Sequence, residues 1–254
     1  MRWVRDETGR LPLRPHFRPD EIDAECERLV GAFLRESRGP GRADASPLST
    51  DDLTVLLEQV TDDLDLYADL SADGQDTEGV TDFFPGQRPR VRIAARLSES
   101  RRREHRLRTT LAHELGHVRL HDCLWTLDPR APTPLNPRCR REGIESPLAT
   151  DWLEWQAGYA CGALLMPAGT VSRLVDDLLR RTGRRPPLLA SGTLAGTLVR
   201  RVARTFDVSL PAARTRLFKL GHLTSYSGAP LHLRAPFRTG APAGIGARLQ
   251  YGRR

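Results

Sequence analysis

Five consecutive residues, His113-Glu114-Leu115-Gly116-His117, constrain this chain more than any other feature. They lie in a stretch predicted to be helical from about Glu104 to His121, where Leu107, Leu111, Leu115 and Val118 recur at helical intervals. Residues four apart share one face of a helix, so His113 and His117 can both offer a ring nitrogen to one metal ion. Glu114 is not a ligand in this arrangement. It stands beside the open coordination position, where its carboxylate can take a proton from a water that the ion has acidified towards a pKa of about 7. Gly116 costs about 1 kcal/mol inside a helix, which implies close packing or a functional reason.

A catalytic zinc takes three protein ligands, so the fold must bring a third group to this helix. The extended pattern HExxHxxGxxH is excluded, because Leu120 replaces its glycine and Cys123 its last histidine. His121 lies about 12 Å along the helix from His113, too far to share an ion with it on a regular helix. Its alternatives are a supporting partner for a ligand or a cap on the helix C-terminus. The best candidate is Glu154, which falls inside the apolar arc formed by Leu153, Ala157, Ala160, Cys161, Leu164 and Leu165 on a second predicted helix, about Leu148 to Met166. A carboxylate on a buried face is costly unless it is paired or binds metal. Asp151 stands at the edge of that arc, and Glu142 and Glu145 stand in a proline-rich loop; they are weaker choices. Zinc is favoured by ligand type, with manganese or iron as other occupants of a His/His/Glu set.

Around these two helices the reading is coarser. Residues 1–19 are rich in Arg and Pro and are expected to be loosely ordered. Asp20–Ser37 has an amphipathic helical pattern, followed by a linker, GPGRADASP. A helix is predicted from Ser49 or Thr50 to about Leu70. Glu78–Phe84 and Arg90–Ala94 read as strands joined by a Pro85-Gly86 turn. Leu127–Pro147 reads as a long irregular loop. Helices are predicted over about 169–182, 193–206 and 210–220, with residues 223–254 as a flexible tail. The four cysteines show no metal or disulfide spacing and read as free thiols. No signal-like or membrane-length apolar run is present, so a cytoplasmic location with no membrane partner is expected.

Charge is unevenly spread. The chain carries +7 overall, yet residues 167–254 hold 16 basic and 3 acidic side chains. Ala203–Leu217 has helix-turn-helix spacing, with Asp207-Val208-Ser209 as the turn and Arg214 and Arg216 on the second helix. That pattern fits DNA contact or, more readily, a structural or substrate-docking role.

Three blocks, EGVTDFF…RVRIAARL with RLRTTLAHELGHVRLH, then EWQAGYACGALLMP, then VARTFDVSLPAARTRLFKLG, make residues 48–222 resemble the ImmA/IrrE-type metallopeptidases. The resemblance implies an α+β fold: a small zincin-like metallopeptidase core with a mixed sheet beside two zinc-binding helices, then a helical, helix-turn-helix-like segment. It divides the chain into an extension with one helix (1–47), the core (48–168), the helical segment (169–222) and the tail (223–254). It implies Zn2+ held by His113, His117 and Glu154, with Glu114 as general base. The implied substrate is a protein, a helix-turn-helix transcriptional repressor. Gly158 departs from the family, whose members more often carry asparagine there. The alternative is a non-catalytic regulator that binds DNA or a repressor and keeps a structural or vestigial metal site.

Overall fold

A computed structural model of the chain describes residues 1–39, 47–126, 138–140, 151–180 and 182–225. The N-terminus forms a hairpin of β1 (Arg2–Arg5) and β2 (Leu13–His16), paired antiparallel, where loose order was expected. Turn chemistry explains the difference. Asp6 accepts hydrogen bonds from the backbone of Thr8 and Leu11, each at 3.1 Å, and closes the turn over buried Leu11.

Helix α1 (Pro19–Arg38) starts with Pro19 and the acidic pair Asp20 and Glu21 in its first turn, and buries Ile22, Cys26, Val30, Phe33 and Leu34 on one face. The GPGRADASP linker lies largely outside the described residues. Helix α2 (Thr50–Glu58) begins at a capping box, Ser49 with Asp52, but stops well short of Leu70. The Leu57 carbonyl takes a 2.8 Å hydrogen bond from the Thr61 hydroxyl, and the chain then turns into β3 (Asp63–Ala68). Leu64, read as helical, stands opposite Val91 in a strand pair, and Tyr67 is 65% exposed.

Strands β4 (Thr77–Asp82) and β5 (Arg90–Ala94) form the expected hairpin across Gly86, whose φ is +69°. The sheet runs β3-β5-β4-β6, parallel at β3/β5 and antiparallel at the other two pairs. Its fourth strand, β6 (Arg138–Arg140), corrects the reading of Leu127–Pro147 as wholly irregular; the rest of that loop lies outside the described residues. A short helix, α3 (Ala95–Ser98), leads on to α4 (Glu104–His121), whose limits are those expected. It is followed by the one-turn α5 (Cys123–Thr126). The opposing helix α6 (Trp152–Leu165) starts later than predicted, at the Asp151 cap.

Gly116 is where α4 and α6 meet. A Cβ there would stand 3.1 Å from the Ala157 carbonyl oxygen and 3.1 Å from the Ala160 Cβ, so the close packing inferred for this glycine is present. Beyond α6 come α7 (Ala168–Arg180), β7 (Leu188–Leu189), α8 (Thr193–Phe206), α9 (Leu210–Lys219) and β8 (Leu223–Thr224). Leu223 and Thr224, assigned to the tail, pair in parallel with Leu188 and Leu189. One buried apolar cluster runs from Ile22 through α4 and α6 to Leu223, so the C-terminal helices share their core with the two central ones. The architecture is α+β, a small mixed sheet against a set of helices. No helix among the described residues is long and apolar enough to cross a membrane.

Candidate metal centre

The ligand-bearing faces of α4 and α6 point at each other. His113 and His117 are fully buried, and the two Nε2 atoms stand 3.1 Å apart. Glu154 Oε2 lies 3.1 Å from His113 Nε2, and Glu154 Oε1 lies 3.3 Å from His117 Nε2. With metal–nitrogen distances of about 2.0–2.1 Å, the edges of a tetrahedron are about 3.3–3.4 Å long. The three donors therefore fit one small ion, and they form the one His/Cys/Asp/Glu group of this kind among the described residues.

The hydrogen bonds behind His117 fix its chemistry. The Pro15 carbonyl can only accept, so the amide that meets it at 3.0 Å must be the Gln156 NH2 group. Gln156 Oε1 then faces His121 Nε2 at 3.0 Å and needs a proton from it. Burial holds His121 well below the usual histidine range, so the ring is neutral and its Nδ1 is a bare acceptor. His117 Nδ1 sits 3.1 Å away and donates its N–H, which leaves the His117 Nε2 lone pair turned towards Glu154 and His113. His121 thus contacts the candidate ligand His117 and Gln156 through its two ring nitrogens. Gln156 was missed in the sequence, where a polar residue two places after Glu154 carries no periodic signal. The other histidine is less supported, since His113 Nδ1 is buried with no hydrogen-bond partner among the described residues.

Burial lowers the proton affinity of His117, but the Glu154 carboxylate, by charge and hydrogen bond, outweighs it and raises the pKa. Burial acts on Glu154 in the opposite sense, and the two imidazoles overcome it, so its carboxyl lies well below the ordinary range. The pair thus favours a cation at this point, and an ion would take the place of a proton.

Glu114 is fully buried against β4 and stands outside the donor group. Its Oε2 accepts a 2.5 Å hydrogen bond from the Thr81 hydroxyl, while Oε1 has no partner among the described residues. A Cβ on Gly79 would collide with this carboxylate, so the glycine is what lets β4 lie across it. Burial raises the Glu114 pKa above the ordinary carboxyl value. Asp151, the weaker ligand candidate, instead caps α6 and pairs with Arg10 at 2.9 Å. Glu142 and Glu145 lie outside the described residues. At Gly158 an added Cβ would meet nothing within 4 Å.

The helix-turn-helix spacing is present as a turn between α8 and α9, with Asp207 at φ +50°. The aspartate has work that glycine could not do. His105 Nε2 meets its Oδ1 at 2.9 Å, and Arg108 on α4 reaches its Oδ2 at 3.1 Å. Arg214 and Arg216 both lie on the second helix, as expected, but Arg216 is 1% exposed and pairs with Asp23 at 2.5 Å. No protein-family model matches the chain, and neither does any curated protein.

Proposed function

We propose that this chain is a zinc-dependent endopeptidase with a zincin-like centre, acting on a protein substrate. The sequence resemblance favours a helix-turn-helix repressor as that substrate. The observation that carries the reading is the convergence of His113, His117 and Glu154 with a buried glutamate, Glu114, outside the donor group. Zinc held by those three side chains supplies Lewis acidity towards a peptide carbonyl and makes a water easier to deprotonate.

The chain's own residues do the rest. Thr81 anchors one oxygen of Glu114 and leaves Oε1 to receive the proton of the attacking water. The burial that raises its pKa makes Glu114 a stronger base than a surface glutamate. The same oxygen then delivers the proton to the leaving amine as the C–N bond breaks. His117 keeps its Nε2 lone pair free through His121 and Gln156.

The competing reading, a non-catalytic regulator, rests on the basic C-terminal part. The inward position of Arg216 removes one of the arginines it would use on DNA. The test is metal content beside turnover. Wild type should hold one zinc per chain, Glu154→Ala should lose it, and Glu114→Gln should keep it while cleavage of a repressor falls by about 10²–10⁴-fold. Cleavage that survives Glu114→Gln would overturn the mechanism, and metal indifferent to Glu154 would overturn the site.

A further inference from the structure

A pocket of about 840 Å³ opens between the first half of α4, the second half of α6 and the face of α9. Its volume falls in the range of about 300–1,000 Å³ usual for small-molecule sites. The room comes from α6, where Gly158 and Gly162 stand one turn apart; a Cβ on Gly158 would meet nothing within 4 Å, and one on Gly162 would approach only the Arg216 Cδ at 3.7 Å.

The lining is cationic. Arg106 is neutralised by Glu78 and Arg216 by Asp23. That leaves Arg96, Arg102, Arg103 and Lys219 on the wall, none of them with a carboxylate partner among the described residues, against one unpaired acid, Asp76. Of these, Lys219 is the least compensated. Arg216, 1% exposed and paired with Asp23, forms the floor of the pocket beneath Lys219. Lys219 rests over the Tyr159 ring, 4.8 Å from its centre, and has no hydrogen-bond acceptor among the described residues. A cation on a pocket wall with no protein acceptor is a place where an anionic ligand can supply one. Leu97, Leu165 and Met166 give the same pocket an apolar side.

We infer that this pocket binds a small organic anion, with a phosphate or carboxylate group set between Lys219 and the Arg96–Arg103 wall and an apolar body against Leu97, Leu165 and Met166. No metal ligand and no group assigned to peptide cleavage takes part. The inference therefore stands or falls apart from the peptidase reading.

The probe is phenyl phosphate, titrated calorimetrically into the full chain at fixed ionic strength. One-to-one binding is expected with Kd between about 10 μM and 1 mM. Lys219→Met keeps the bulk of the side chain and should weaken binding at least tenfold, with an intact thermal transition showing that it folds. Arg103→Gln, an exposed change that leaves the core alone, should weaken it several-fold. No binding, or the same affinity in both variants, would overturn the inference. So would binding of an aspartate-rich peptide with none of phenyl phosphate, which would make the surface a protein contact instead.

Discussion

The two ends of α6 both bury charge, and they do so in opposite ways. Near its C-terminal end one ion pair is closed by the protein itself. Asp23 receives Arg216 on one oxygen at 2.5 Å and the Tyr159 hydroxyl on the other at 2.8 Å, while Arg216 Nε donates to the Met166 carbonyl at 3.0 Å. Near the N-terminal end, two imidazole nitrogens and a carboxylate meet within 3.3 Å, and no lysine or arginine among the described residues pairs with that carboxylate. A buried cluster whose acceptors already have donors is architecture. A carboxylate that faces only imidazoles is a place for a cation, a proton or a metal ion in its stead.

That contrast can be broken at either end. The largest effect is expected from Arg216→Ala, which leaves Asp23 buried without its cation and should cost about 3–5 kcal/mol in chemical denaturation. Metal content per folded chain should not change; a loss there would mean that the two ends are coupled. Lys219→Met comes next and should stabilise. Burial, with Arg216 adding to it and Cys161 and Asp23 opposing, pushes the Lys219 ammonium down to about 8 from 10.5. Its folded value lies below its unfolded one, so folding penalises the charged form. The penalty is complete below pH 8 and fades as pH rises from about 8 to 10.5. The variant should accordingly gain on the order of a few kcal/mol at pH 7 and lose that advantage by pH 10.5, read from thermal unfolding across pH.

Gln156→Leu removes the amide that holds His121 without touching a ligand. It should weaken zinc binding by about 10–100-fold in a chelator competition. The smallest effects separate two glycines. Gly116→Ala should cost about 1–3 kcal/mol, because α4 and α6 must separate to admit the methyl. Gly158→Ala, in open space on the facing helix, should gain about 0.5–1 kcal/mol by restricting the unfolded chain. Equal responses at the two positions would contradict the helix contact described here.

What the sequence reveals follows the same division. The limits of α4 and the strands at Thr77–Asp82 and Arg90–Ala94 are legible because local period and turn residues specify them. Glu154 is legible because a lone carboxylate interrupts an apolar arc. The strand β3 is not: Leu57, Val60 and Leu64 continue a helical period, and only pairing with Val91, distant in sequence, selects the extended form. The inward turn of Arg216 is equally hidden, since its partner Asp23 lies 193 residues away. Gln156 and Thr81 act through contacts across elements, which no local spacing encodes.

The Pro15 carbonyl has a consequence that reaches beyond the hairpin it belongs to. A row of amide and imidazole groups can carry its protons in either of two senses, and nothing inside the row prefers one. An oxygen that accepts and never donates, placed at one end, selects the sense for every group down to His117. A chain that began at residue 19 would retain all three candidate ligands and lose that terminus. Gln156 could then rotate its amide, His121 would exchange its two nitrogens, and a hydrogen would occupy the very position on His117 that the proposed metal centre needs free. The first strands of the protein, remote from any reacting atom, thereby decide which way the centre faces.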